Sequence, residues 1–535
     1  MVHTTRTFNA LNFTVYYAKL LHHVPSIQSM MFPNYHKFLT TSFRSYSAKK
    51  LLPRYDIVIV GGGMVGFGLA AVAAASKFLG KKNILLLESS GKKTYQRKEE
   101  YENRVVALND LSVNMLKNIG VWEFIQSFRS QPVNKMKVWE TKSNLYLTFQ
   151  RNPLAYIVEN DLVIESLRNH LESINNSSNV TILYEAQAEN IQLPSRDHPE
   201  HLVRLDVQQR TQNKRETVET DLLVGADGFN SLVRKTANIH TIGWNHNQKA
   251  IVATLKLEQA NNESIAWQRF LPTGPIALLP LSKEYTSLVW STTSYEADRL
   301  MNLKDSDFIQ ELNDCLTKPS ESMSQIGTVL SNVGQCFAGV VDYFGNQIKS
   351  TENESESSSF STPSVVSIQP NTKRACFPLG FQHATFYSAT RVALVGDSAH
   401  RILPLAGQGV NLGFGDVVSL VRHLEEAVFH GANIGSLAYL KDYTNERQRI
   451  IVPLAGTLEL INLLYSTDVY CKQNINESSI CHNSKLSYLI NKFITNIRGT
   501  GMSTIQSSQV LKEFLMGVAV TGQIGTSQSK PTYCL

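Results

Sequence analysis

Residues 56–66 read DIVIVGGGMVG, and this stretch decides the fold class. The unbroken Ile and Val run from Ile57 to Val60 predicts a short parallel strand buried on both faces. Glycines follow at 61, 62, 63 and 66, and the Ala-rich stretch from Met64 to Leu79 predicts a helix. The result is G-x-G-x-x-G between a strand and a helix. Gly61 permits the tight turn, Gly63 lets backbone approach a pyrophosphate, and Gly66 lets the helix pack closely, while the helix N-terminus offers N–H groups and positive dipole to phosphate. Asn83 to Leu87 reads as the next strand, so the order is βαβ. Glu88 ends that strand 22 residues after Gly66, where an acid accepts both hydroxyls of an adenosine ribose. A glutamate there, rather than a basic residue, favours FAD or NAD over a 2′-phosphorylated nucleotide.

Hydropathy alone would make Ile57 to Ala75, nineteen residues without a charge, a membrane span. Its five glycines and its division into strand and helix reject that reading, and any membrane contact is expected to be peripheral. Further along, Leu222-Leu223-Val224 runs into Gly225-Ala226-Asp227-Gly228, and Val392-Ala393-Leu394-Val395 runs into Gly396-Asp397-Ser398-Ala399-His400. Sheet strands end this way beneath a bound nucleotide, so the nucleotide domain is discontinuous in sequence. Alternating stretches at 135–150, 249–257 and 287–292 have the period of half-buried antiparallel strands and predict a second domain on a mixed sheet.

The chain has 535 residues, 42% of them hydrophobic, enough for two connected domains plus tails. Its net charge of +6 belongs to the N-terminus: residues 1–55 hold seven Lys or Arg and no acid, which leaves 44 basic residues against 45 acidic ones. Nothing argues for a nucleic-acid-binding body. The acid-free leader, rich in Ser and Thr and carrying Leu11, Phe13, Val15, Tyr16 and Leu20, predicts an amphipathic mitochondrial transit peptide over 1–46, with Arg44-Ser45-Tyr46 preceding a cut at Ser47. The cysteines at 315, 336, 376, 471, 481 and 534 lack metal-like spacing and are expected to be reduced thiols.

Three glycine motifs in this order, about 160 to 170 residues apart, resemble the fingerprints of class A flavoprotein monooxygenases. In that family the second sits near the pyrophosphate, which implies Asp227 and Gly228 as contacts, and the third holds the ribityl chain through its Asp, here Asp397 after Gly396. Pro404-Leu405-Ala406-Gly407-Gln408-Gly409-Val410-Asn411 resembles the loop that opens a helix beneath the isoalloxazine ring. Its N–H groups and dipole would meet the flavin N1–C2=O region, which is negatively charged when reduced. The segment Asn103-Arg104-Val105-Val106-Ala107-Leu108 is similar to the family's Arg-containing segment near the cofactor, which implies Arg104 as a flavin or phosphate contact, with a surface ion pair as the competing reading. His400 invites assignment as a base, but in this turn it reads as a structural His bonded to backbone. Tyr156 to Asp161, Ala266 to Leu281, Leu288 to Thr292 and Thr444 to Arg449 narrow the resemblance to the eukaryotic ubiquinone-biosynthesis monooxygenases, from about Tyr55 to Gly517. The leader, the acidic loop near residue 356 and the segment 471–484 depart from it.

The resemblance implies an α/β fold: a discontinuous Rossmann-like FAD-binding domain (47–134, 156–244 and 386–450), a mixed-sheet substrate domain (135–155 and 245–385) with a disordered Ser-rich loop at 351–367, and C-terminal helices over 451–535. The helical region carries apolar stripes at 486–497 and 505–520. It further implies an FAD-dependent monooxygenase in which a hydroperoxide at flavin carbon 4a delivers oxygen to ring position 5 of a polyprenylated 4-hydroxybenzoate-type substrate. The expected partners are O₂, a ferredoxin with its reductase, the ubiquinone-biosynthesis assembly, and the matrix side of the inner membrane as a peripheral contact. Lys92, Lys93, Arg97 and Lys98 form one basic patch for an acidic ferredoxin, against the alternative of a solvated loop. Trp267, Phe270, Leu271, Ile276, Leu278 and Leu279 are candidates to line the substrate pocket, with core packing as the alternative. Arg269 is a candidate to orient a ring carboxylate, against a strand arginine that faces water. An epoxidase or kynurenine-type hydroxylase, a flavin-dependent prenyl reductase and a flavin-stabilised scaffold stay open as other readings.

Overall fold

The Ile/Val run forms strand β1 (Arg54–Val60), and the glycine turn leads into helix α1 (Met64–Ala75). The computed structural model describes residues 52–465, apart from 93–94, 96–98, 141–145, 175–178, 196, 212, 319–361 and 405–406. The expected transit peptide, the C-terminal stripes and three members of the basic patch (Lys93, Arg97, Lys98) lie outside the described residues. α1 stops at Ala75 rather than Leu79 because Ser76 Oγ accepts from the Phe78 and Leu79 amides at 3.2 and 3.0 Å, giving the backbone an alternative to helical bonding. Among the described residues no helix is long and apolar enough to cross a membrane.

The first sheet runs β16 (Ser388–Ala389), β17 (Val392–Leu394), β9 (Lys214–Gly225), β1, β2 (Ile84–Leu87), β6 (Val180–Leu183). From β17 to β6 the strands are parallel, and β1 and β2 are buried on both sides, as their continuous hydrophobic runs require. A hairpin of β7 (Ala186–Gln192) and β8 (Val203–Gln209) adds to the N-terminal half of β9. The strand β3 (Val105–Leu108) leads into α2 (Asp110–Asn118) and α3 (Trp122–Phe128). α1 packs against both α4 (Asn160–Ser173) and, further along the chain, a long helix at Gln408–Phe429. The short helix α5 (Leu232–Thr236) follows the second glycine motif.

The second sheet is mixed, as expected: β18 (His400–Arg401), β15 (Ala375–Ala384), β10 (Thr241–Leu257), β13 (Tyr285–Thr293), β12 (Gly274–Pro280), β11 (Ile265–Leu271), β4 (Gln131–Glu140), β5 (Tyr146–Glu159), β3, with only β11 and β4 parallel. Helices α6 (Ser294–Asn302) and α7 (Asp305–Thr317) cover one face, where Trp267, Leu278, Leu288 and Trp290 pack against Leu300, Phe308 and Leu312. The long helices α8 (Gln408–Phe429) and α9 (Leu437–Tyr465) close the chain's described part.

Strand pairing redraws the expected boundaries. β3 falls inside 47–134 by sequence, but it pairs with β5 and belongs to the second sheet, and β10 enters that sheet at Thr241 rather than 245. The loop expected to be disordered through 367 ends earlier. β14 (Val365–Ile368) pairs with Leu255 to Leu257, and Val365 is buried against α7, so its apolar residues find a partner that local composition does not reveal.

Candidate active site

Register places the three glycine motifs side by side. Val60 stands opposite both Leu87 and Gly225, and Gly225 stands opposite Leu394, so all these turns leave the C-terminal edge of one parallel sheet, where open α/β sheets bind their ligands. Gly61 holds φ at +111°, and a Cβ there would lie 2.3 Å from Ala226 O; one on Gly66 would lie 1.9 Å from Gly61 O. The first two motifs therefore interlock through backbone. Gly63 differs: it caps α1 without a side-chain bond, no acid occupies the first turn, and a Cβ on it would meet nothing within 4 Å. That open cradle at a helix N-terminus fits a phosphate.

Glu88 accepts from the Gly62 amide at 2.8 Å and from Ser90 N at 2.6 Å, which leaves acceptor capacity for ribose hydroxyls. Asp227 Oδ2 accepts from the Leu232 and Val233 amides at 2.7 and 3.2 Å, while its Oδ1 is buried without a partner. Gly228, at φ +78°, again has open space beside it. Arg234, which the sequence reading missed, ties the second motif to the third by donating to Ser398 O at 2.7 Å. Asp397 reaches solvent and has no hydrogen-bond partner among the described residues, yet surrounding protein pushes its carboxyl above the usual range by desolvation. A group both hemmed in and reachable lines a concavity, which is the setting a ribityl-binding acid needs.

Beneath this turn lies a buried polar network. Asp416, fully buried, accepts from Gly396 N at 2.9 Å and Arg447 Nε at 2.7 Å and pairs with His400 Nε2 at 2.6 Å. Burial pushes the Asp416 carboxyl up, but His400 and the Arg447 guanidinium outweigh burial and hold it below the usual range. His400 is thus structural, as expected, but its partner is a carboxylate and not backbone. Nearby, burial and the adjacent His400 push His383 down to about 4. Arg447 lies in the Thr444 to Arg449 segment that carried the resemblance, and Gly415 leaves the room its guanidinium fills.

α8 opens at Gly407, which holds φ at +64° as N-cap, with no side-chain cap and no acid in the first turn; Gly409 again faces open space. Half-buried Pro404 precedes it, and Gln408 is buried. Asn411 takes a different role from the expected one. Its Oδ1 accepts from Asn109 N and Ser112 Oγ at 3.0 and 2.7 Å, and its Nδ2 donates to Ala107 O at 2.8 Å and Gly407 O at 3.2 Å, so its amide is spent holding β3 against the start of α8. Arg104, just before β3, is exposed and forms no ion pair among the described residues, which leaves its guanidinium unpaired by any of them. Lys92 of the proposed basic patch is paired with Glu172 at 2.8 Å.

Arg269 is a correction. It is 3% exposed and donates to Cys315 O at 2.7 Å and Lys318 O at 2.8 Å, satisfying the last carbonyls of α7 and neither facing water nor reaching a substrate. The pocket candidates divide by strand alternation. Trp267, Leu271, Ile276 and Leu278 pack under α6 and α7, whereas Phe270 and Leu279 lie half-buried on the opposite face.

A family model described as an FAD binding domain matches residues 54–327 and 354–454. The mitochondrial ubiquinone biosynthesis monooxygenase COQ6 of Xenopus tropicalis is 39% identical over 422 residues, covering 77% of this chain and 86% of its own length. The chain belongs to the ubiquinone biosynthesis monooxygenase family. The Homo sapiens relative is 38% identical over 436 residues (80% and 88% covered), and the Dictyostelium discoideum one 30% over 515 residues (91% and 94%). Among solved structures, p-nitrophenol 4-monooxygenase PnpA from Pseudomonas putida DLL-E4 has a TM-score of 0.56 at 14% identity (89% and 100% covered), which shows a shared fold. This monooxygenase is FAD-dependent, uses O₂ and is mitochondrial, like its relatives. The open Gly63 cradle, Glu88, Asp397 and the uncapped α8 start are the groups that would hold pyrophosphate, adenosine ribose, ribityl chain and flavin ring in turn.

Proposed function

We propose that this monooxygenase hydroxylates ring position 5 of a polyprenylated 4-hydroxybenzoate-type intermediate of ubiquinone biosynthesis. FAD, once bound and reduced, supplies the oxygen chemistry by the route the resemblance implies. The protein's own residues orient and exclude water. One observation carries the reading: Gly407, at the uncapped start of α8, lies against Ala107, and Ala107 shares an apolar cluster with Ala266 and Leu279 on the face of the second sheet opposite α6 and α7. An apolar wall beside the flavin-facing helix start suits a prenylated ring and keeps the reacting centre dry.

Electrons come from a ferredoxin and its reductase, and the protein works within the ubiquinone-synthesis assembly as a peripheral component on the matrix side of the inner membrane; these proposals rest on the family relationship. The test is anaerobic reduction of the FAD-loaded enzyme followed by O₂ and a prenylated 4-hydroxybenzoate, with product mass measured. A product heavier by one oxygen at position 5 supports the reading, and oxygen consumption without ring product rejects it. Flavin reduction by NADPH alone at the turnover rate would remove the ferredoxin from the scheme.

A further inference from the structure

Between two residues that sequence reasoning selected, Trp267 and Arg269, stands one that it passed over. Strand β11 alternates: Trp267 and Leu271 pack under α6 and α7, and Arg269 reaches the end of α7. Ala266, Gln268 and Phe270 therefore share the opposite face. There Ala266 joins the cluster that Ala107 and Leu279 pack against, and Phe270 packs against the core of the cofactor-binding half. Cross-strand register sets Gln268 in a row with Val138 on β4, Ala277 on β12 and Val289 on β13, all of them apolar. Ala277 and Val289 are half-buried.

Gln268 is 6% exposed as a residue; its carboxamide forms no hydrogen bond among the described residues, and its polar tips still reach solvent. An amide so nearly enclosed, with only its tips open to water, can exchange that water for a ligand, and a ligand that excluded the water without bonding the amide would leave it unpaired. A carboxamide offers both donor and acceptor, which matches a phenolic hydroxyl, itself donor and acceptor. A ring carboxylate would call for a cation in this row. The neighbouring Arg269 faces away and is already committed to α7.

We propose that Gln268 hydrogen-bonds the ring hydroxyl of the aromatic substrate and selects phenols over rings that lack it. This rests on the proposed function above. A dry site that bonds a substrate hydroxyl rejects the analogue without it, since its own polar group is then left unpaired.

The experiment titrates FAD-loaded, full-length protein with 4-hydroxybenzoate carrying a short prenyl chain and with the same ring lacking the hydroxyl, following the flavin spectrum. Wild type should prefer the phenol by about tenfold or more. Gln268→Leu should abolish that preference by weakening the phenol roughly tenfold while leaving the deoxy ring unaffected, with bound FAD unchanged and no fall in melting temperature. Gln268→Asn keeps the amide but withdraws it by one methylene; it should also lose preference, and it decides the matter should the leucine variant fail to hold FAD. A preference retained by the variants, or an equal loss for both rings, overturns the inference alone. Wild type that holds FAD but binds neither ring overturns the functional reading and this inference with it.

Discussion

The Gly62 amide donates to the Glu88 carboxylate at 2.8 Å, and a Cβ added to Gly62 would stand 2.5 Å from the same oxygen. The glycine turn and the acid ending the next strand are one mechanical unit, so Glu88 shapes the loop proposed to hold phosphate and is placed to meet the ribose hydroxyls proposed for it. Glu88→Ala should weaken FAD binding about tenfold to a hundredfold, measured by titration of apoprotein. Glu88→Gln should fall between, because only one of its two terminal atoms can accept a hydrogen bond. Wild-type affinity in both variants would remove Glu88 from the site.

Gly63 and Gly66 should fail differently. A side chain on Gly66 collides with Gly61 backbone, so Gly66→Ala should reduce soluble expression and melting temperature. A Cβ at Gly63 meets no protein atom within 4 Å, so the Gly63→Val apoprotein should melt like wild type and yet lack bound flavin. The pair separates folding from binding, with melting curves and flavin absorbance as the readouts.

Asp397 should trade stability for binding. Desolvation raises its folded carboxyl above the unfolded value of about 3.9. The ionised form then destabilises the apo fold: stability is full below the unfolded value and falls as pH rises through the folded one. Apo Asp397→Asn should melt above wild type at neutral pH, with the gap closing as pH drops below about 4, while its FAD affinity is lower by about tenfold.

The opposite sign holds for Asp416, whose carboxyl is held down in the folded state against the pull of burial. It contributes stability that is present above about pH 3.9 and lost as the pH falls through the folded value. Asp416→Asn leaves Arg447 buried without its counter-charge and should cost about 3–5 kcal/mol, read by denaturant unfolding.

Arg269→Ala should lower stability by about 1.5–3 kcal/mol through two lost charged hydrogen bonds at the end of α7. In the folded fraction, FAD affinity and the KM for the aromatic substrate should match wild type. A raised KM at unchanged stability would restore Arg269 as a substrate contact.

What the sequence determined by itself was local. Gly61, Gly228 and Gly407 turn with positive φ, Gly66 lets backbone pass close to Gly61, and Gly63 leaves open space, each of which glycine does freely. Strand, glycine and helix are contiguous, so motif spacing was enough to read the FAD cofactor and the α/β class. A strand's period of two is general, so once Arg269 is read as lying on a strand the division of Ala266, Gln268 and Phe270 from Trp267, Arg269 and Leu271 is legible. Which set packs under α7 is not. That depends on α7, which comes thirty-odd residues later and covers one side of the sheet, binding Arg269 and leaving Gln268 to the other. The same limit hid the Gly396, His400, Asp416 and Arg447 network and turned Asn411 from a ligand contact into a clasp between β3 and α8. A side chain's partner is set by whichever distant segment packs against it, and no local pattern carries that information.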